Sequence, residues 1–115
     1  MFIEQYKQVP FPIKRVYYMC GMPEGAVRGG HAHMESETVL ISLKGTFTVM
    51  LDDSIRRRDF LLDDPAFALY IAPKTWLELS NFSLDSIVLV LSSALYSREE
   101  TIADYELYKK TILQK

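Results

Sequence analysis

The chain has 115 residues, the usual size of one domain, and it can bury a core without disulfide or metal support. A net charge of −2 supplies no basic field, so the composition excludes general binding to nucleic acid or to an anionic membrane. Hydrophobic residues make up 49% of the chain and charged residues 24%, which is typical of a folded domain rather than a disordered one. We therefore predict a single domain over residues 1–115.

Most of the chain is predicted to form short strands separated by tight turns. Residues 13–20 are rich in β-branched and aromatic types, as strands are, and residues 21–30 form a glycine-rich loop. Strands of this length joined by short turns are typical of a sandwich or barrel, so we predict an all-β jelly-roll barrel over about residues 13–92. Further strands are predicted at 36–43, 46–51, a segment that ends at Leu62, 66–72, 75–79 and 86–92.

The C-terminal tail has a different pattern. Ser97 followed by Glu100 has the spacing of a capping box, which marks the start of a helix. From Ile102 onward, apolar and aromatic residues recur at helical spacing. We predict one amphipathic helix over about residues 98–113, packed on the barrel.

Cysteine usage and the N-terminal stretch indicate the compartment. Cys20 is the only cysteine, so the sequence excludes an intrachain disulfide and a cysteine-based zinc site. The N-terminal stretch has no apolar run of the kind found in signal peptides, and no segment is apolar enough to predict a membrane span. We expect a cytoplasmic protein.

The two histidines are the strongest candidates for a functional site. His31 and His33 are the only histidines in the chain, and residues two apart on a strand point to the same face. Imidazole titrates near neutral pH, so it can take up and return protons during a reaction. We predict that the pair faces into the barrel and acts as acid and base, the alternative being a polar patch without a role.

The spacing around the pair resembles the first cupin motif. In metal-binding cupins a glutamate stands at the position of Thr38, and a third histidine from the second motif stands at the position of Leu77. Two histidines alone are a poor site for a divalent ion, so we expect neither a metal nor another cofactor. The residues that match the first motif are Gly25, His31, His33, Thr38 and Gly45.

Five segments carry a closer family resemblance: IKRVYY at 13–18, RGGHAH at 28–33, LDD at 51–53, PAFALYIAPKTW at 65–76 and NFS at 81–83. Together they resemble the nucleotide-sugar 3,4-ketoisomerases, the WxcM-like cupin family. The resemblance implies a cupin fold, a homodimer and metal-free movement of a carbonyl from C4 to C3 of dTDP-4-keto-6-deoxyglucose. It also implies catalysis by the HxH histidines, here His31 and His33, and products used in aminosugar-bearing glycans.

Three departures from this family accompany the resemblance. Its members commonly have glutamine at the position of Thr38 and histidine at the position of Leu77. They also usually begin with an additional strand that contains an Asp-x-Arg-Gly segment, and the present sequence starts after it.

Four further residues are candidates for contact with such a substrate. Arg15 and Tyr17 share one face of a predicted strand; if this face is the inner one, Arg15 would pair with a diphosphate and Tyr17 would donate a hydrogen bond to a sugar oxygen. Arg28 lies in the loop before the histidines and is a candidate anion contact. Trp76 is a candidate for stacking on thymine. The alternatives are an edge charge and a core aromatic for the first pair, a solvated charge for Arg28, and a core or interface position for Trp76.

Two other classes of function compete with the isomerase. One is a cupin module that binds a sugar or nucleotide without turnover, which Thr38 and Leu77 favour. The other is a metal-dependent cupin enzyme, such as a dioxygenase or a phosphosugar isomerase, which the missing metal ligands disfavour.

Overall fold

The computed structural model describes residues 3–113. Within this range the chain forms short strands followed by one C-terminal helix, α1. The elements are β1 (Arg15–Cys20), β2 (Arg28–His33), β3 (Thr38–Lys44), β4 (Phe47–Asp52), β5 (Arg57–Leu62), β6 (Ala68–Ile71), β7 (Thr75–Ser80), β8 (Ile87–Ser92), β9 (Thr101–Ile102) and α1 (Tyr105–Leu113).

The strands form two antiparallel sheets. Their orders are β1-β8-β3-β6 and β5-β4-β7-β2-β9, so sequence neighbours are often not spatial neighbours. Apolar side chains from both sheets meet in one core cluster, as in a jelly roll. The predicted all-β cupin-type barrel with a C-terminal helix is confirmed.

Both outer faces of this sandwich are also partly covered. Val9 and Phe11 from the N-terminal segment pack on the outer side of β3 and β8. On the other sheet, α1 places Tyr108 over Trp76 and Ala32, which lie on the outer side of β7 and β2. The helix removes Ala32 and Trp76 from water, so β2 and β7 are covered on their outer face as well as on the face toward the core.

The tail differs from its sequence prediction. The helix begins at Tyr105 rather than at residue 98, and Asp104 caps it by accepting a hydrogen bond from the Leu107 N–H at 3.1 Å. Upstream of this cap, Thr101–Ile102 is extended and pairs with β2. The prediction of a helix from residue 98 was wrong because this pairing satisfies the backbone of the segment in another way.

Candidate active site

A β-bulge in β2 aims the two histidines into the space between the sheets. The register of β2 against β7 shifts between Gly29 and His31, and Gly29 and Gly30 both have positive φ. His31 lies opposite Leu77, and a Cβ on Gly29 would come within 2.9 Å of the Leu77 carbonyl oxygen. Only glycine therefore lets β2 approach β7 so closely at this point.

The structure brings His31 and His33 together on one face. Their ring centroids are 4.7 Å apart with an edge-to-face angle of 61°. Both rings are half-buried and line the same cavity. The arrangement presents two imidazoles to one small molecule at once.

Strand β1 contributes Arg15 and Tyr17 to the same place. Both are half-buried, whereas Val16 between them and Tyr18 after them are exposed on the other face. The Arg15 guanidinium lies 4.4 Å from the centre of the Tyr17 ring and 5.4 Å from that of Tyr96. The cation is thus held beside the histidines rather than free in solvent.

The site consists of two adjoining cavities that share the Tyr17, His33, Thr38 and Val90 side chains. The inner cavity has mostly apolar walls and the outer one carries the polar and charged groups, which suits a ligand with one weakly polar and one charged end. The inner walls are Met19, Gly29, His31, Leu40, Leu77 and Leu79, and the outer ones include Arg15, Ser36, Ser92, Tyr96 and Glu100.

Burial sets the protonation of these groups. It lowers the pKa of His31 and of His33 below the ordinary value of 6.5, and for His33 the neighbouring His31 and Arg15 lower the pKa further while Glu100 opposes them. Burial raises the pKa of Tyr17, although Arg15 works against this. Near pH 7 both imidazoles are therefore neutral and the phenol keeps its proton.

Residues from the tail complete the surroundings of His33. The His33 Nδ1 lies 3.2 Å from the Thr101 hydroxyl oxygen. The Glu100 carboxylate accepts hydrogen bonds from the N–H groups of Glu35 and Ser36 and from the Ser36 hydroxyl, at 2.9–3.0 Å. Thr101 and Glu100 were not predicted as site residues because their segment has a helical pattern, and only the pairing with β2 brings them here.

Two of the predicted contact residues lie elsewhere. Trp76 is 4% exposed on the outer face of β7, packed edge-to-face on Tyr105 with its Nε1 donating to Glu78 at 2.9 Å. It is covered by α1 and lies outside both cavities, on the opposite face of β7 from the histidines. Arg28 is exposed at the start of β2, where its guanidinium donates to the Val27 carbonyl at 3.1 Å, outside both cavities.

Residues 3–113 contain neither a cluster of metal ligands nor a membrane-spanning helix. No three His, Cys, Asp or Glu side chains in this range are grouped closely enough to hold a metal ion. The range also contains no helix with the length and apolarity that crossing a bilayer requires.

Comparison with known proteins decides the family. The family model described as FdtA, WxcM-like, C-terminal matches residues 1–113. The chain belongs to this family. The resemblance read from the sequence is confirmed, and with it the prediction that the protein is an enzyme of sugar-nucleotide metabolism.

Named relatives and solved structures agree with this placement. The TDP-4-oxo-6-deoxy-alpha-D-glucose-3,4-oxoisomerase of Aneurinibacillus thermoaerophilus is 42% identical over 110 residues, which are 96% of this chain and 79% of the relative. A 3,4-ketoisomerase from Helicobacter canadensis is 36% identical with a TM-score of 0.94, covering 97% of this chain and 84% of that one. A mutant of the 3,4-ketoisomerase QdtA from Thermoanaerobacterium thermosaccharolyticum, solved with TDP-4-keto-6-deoxyglucose, is 33% identical with a TM-score of 0.94 and coverages of 98% and 82%.

Proposed function

We propose that the protein is a nucleotide-sugar 3,4-ketoisomerase that moves the keto group of a dTDP-6-deoxyhexose between C4 and C3 by histidine acid/base catalysis. The observation that carries the proposal is the pair of half-buried imidazoles, 4.7 Å apart, beside Tyr17 in a cavity between the sheets. The 42% identical relative named for this reaction supports the same substrate class.

The chemistry needs only proton transfers. The C3 proton is acidic because it lies next to the C4 ketone, and a neutral imidazole with a pKa lowered by burial can accept it. An enediolate over C3 and C4 results, and return of a proton to C4 with loss of the proton on the C3 oxygen leaves the ketone at C3. One histidine exchanges the carbon proton while the other moves protons between the oxygens.

Tyr17 and Arg15 stabilise two different negative charges of the substrate. The Tyr17 phenol keeps its proton because burial raises its pKa, so it can donate a hydrogen bond to the enediolate oxygen. Arg15 supplies the positive charge for the diphosphate at the polar end of the site. The apolar inner wall, including Leu77 and Leu40, accommodates the deoxy sugar and excludes water.

The proposed reaction is independent of metal. At the two positions where metal-binding cupins add ligands, this chain has the hydroxyl of Thr38 and the hydrocarbon side chain of Leu77. Proton transfer to and from imidazole needs no Lewis acid when a phenol donates a hydrogen bond to the oxygen on which negative charge develops. Activity is therefore expected to survive treatment with EDTA.

The proposal extends to the setting of the enzyme. We place it in the cytoplasm as a homodimer, where its 3-keto product would enter the synthesis of aminosugars for glycans. Light scattering of the purified protein at micromolar concentration tests the assembly, with a mass of one chain as the contradicting result.

Proton NMR of dTDP-4-keto-6-deoxyglucose with the protein in D2O tests the reaction. Loss of the C3 proton signal together with a 3-keto product, unchanged by EDTA and abolished in the His31→Ala, His33→Ala double variant, is the expected result. The absence of exchange from a folded protein would overturn the assignment for this sugar and favour a binding module.

A matched pair of tyrosine variants tests the role of the phenol. Tyr17→Phe is expected to lower kcat by about tenfold or more, since it removes a donor to the enediolate oxygen. Tyr18→Phe removes the same atom from the next residue of β1, which is exposed on the other face, and should leave kcat unchanged. Equal effects of the two substitutions would contradict the assignment.

A further inference from the structure

Only one arrangement of hydrogen bonds lets the Thr101 hydroxyl satisfy both of its polar contacts at once. Its oxygen lies 2.8 Å from the Ser97 carbonyl, which can only accept, so the hydroxyl proton is directed there. The same oxygen lies 3.2 Å from the His33 Nδ1. Because its one proton is already used, the oxygen accepts a hydrogen bond from Nδ1–H.

We propose that Thr101 is a positioning residue that holds neutral His33 with its proton on Nδ1 and so leaves the Nε2 lone pair free to accept a proton from substrate. Which nitrogen of a neutral imidazole carries the proton is set by the hydrogen bond that the other groups offer it. The inference rests on the proposed function only for the last step, the use of Nε2 as a base.

The backbone keeps the Thr101 oxygen in place. His33 and Thr101 are direct partners in the pairing of β2 with β9, and the Met34 N–H donates to the Glu100 carbonyl at 2.8 Å. The Glu100 side chain also binds the loop that follows His33, through three hydrogen bonds from Glu35 and Ser36. The acceptor beside Nδ1 is therefore part of a pairing held at several points rather than one mobile side chain.

Such a contact matters because the site places two side chains of the same chemical type next to each other. Two neutral rings with centroids 4.7 Å apart can exchange roles unless each has a defined tautomer. With the ring proton fixed on Nδ1, Nε2 is the only nitrogen of His33 that can accept a proton. A division of labour between the two histidines follows from this single contact.

Nitrogen-15 NMR of the folded protein without substrate tests the tautomer directly. In the native protein at a pH where His33 is neutral, the proton is expected on Nδ1. Thr101→Val removes the acceptor at nearly constant volume, and should shift the His33 proton toward Nε2, while Thr101→Ser should keep it on Nδ1. Thr111→Val is the matched control, because the Thr111 hydroxyl also donates to a carbonyl four residues earlier, at 2.8 Å, without touching a histidine.

Kinetics of the same variants test the consequence. Thr101→Val is expected to lower kcat about tenfold with KM changed less than twofold, and Thr101→Ser should restore most of kcat. A native protein with the His33 proton on Nε2, or a tautomer that does not change in Thr101→Val, would overturn the proposal even if isomerisation is observed. If the native enzyme has no isomerase activity, the tautomer result still decides the positioning role, so the two failures are distinguishable.

Discussion

Leu77 lies directly opposite His31 in the pairing of β7 with β2, and both side chains line the inner cavity. An apolar group at this position keeps water away from the imidazole, and this burial is the main cause of the lowered pKa of His31. The Leu77 side chain therefore helps to lower the pKa of His31, although it provides neither a metal ligand nor a proton.

Replacing Leu77 should move the pKa of its partner. Leu77→Gln brings a polar group and water to His31, so the pKa of His31 is expected to rise toward 6.5. Leu77→Met keeps the wall apolar and is the control, with a pKa close to the native one. Proton NMR titration of the ring signals measures both, and identical titrations of the Gln and native proteins would refute this account of the burial.

Stability is expected to depend on the two histidines in acid. Because burial lowers both pKa values, the unfolded chain binds more protons than the folded one between the folded pKa values and about 6.5. The free energy of unfolding should therefore rise with pH through this window and fall as the pH drops below about 6.5. Urea unfolding of the native protein and of the His31→Gln, His33→Gln double variant measures the effect; the variant should lose this slope, and an equal slope would contradict it.

Gly29 is expected to be less replaceable than its neighbour Gly30. Both have positive φ, so alanine at either position costs about 1–2 kcal/mol of backbone strain. At Gly29 the added Cβ also meets the Leu77 carbonyl oxygen at 2.9 Å, whereas at Gly30 it meets nothing within 4 Å. Urea unfolding should show Gly29→Ala losing at least about 1 kcal/mol more than Gly30→Ala, and equal losses would mean that β2 and β7 move apart freely.

Trp76 should affect stability rather than substrate binding. Its ring is 4% exposed beneath α1, where Trp76→Phe leaves a cavity that costs about 1–3 kcal/mol. The KM for the nucleotide sugar should stay within about twofold of the native value. A large rise in KM with unchanged stability would indicate instead that Trp76 contacts the substrate.

Arg15 should act on substrate affinity. A charge-assisted contact to a diphosphate is worth about 1.5–3 kcal/mol, so Arg15→Met is expected to raise KM between about tenfold and a hundredfold. Removing the Arg15 charge should also raise the pKa of His33, which that charge lowers. Lys14→Met removes a charge from the exposed neighbouring residue and should leave KM unchanged; similar rises in both variants would point to a general effect of charge.

Alternation along single strands accounts for the part of the site that could be predicted. The period of two in β1 places Arg15 and Tyr17 on one face, and the same period in β2 joins His31 to His33. For the histidines, the cupin spacing around the pair also predicted that this face is the inner one, whereas for Arg15 and Tyr17 the sequence left the choice of face open. Roles for these residues in catalysis stay predictions.

The positions of Trp76 and Thr101 could not be predicted from alternation along a strand. Both sides of β7 carry apolar residues, so a period of two does not tell which face of the strand is covered by a helix and which lines a cavity. For Thr101, helical spacing in the tail competed with pairing to β2, and the hydrogen bonds of the long-range pairing prevailed.

The sequence by itself determined most of the strands, the paired histidines, the absence of a cysteine framework and the family, since these depend on residue types and short spacings. Only the tertiary structure decided that Leu77 faces His31, that Trp76 lies under the helix, and that Thr101 meets His33 across 68 positions of chain. The physical reason is that register between distant strands depends on the packing and hydrogen bonding of the whole sandwich, which no local pattern encodes.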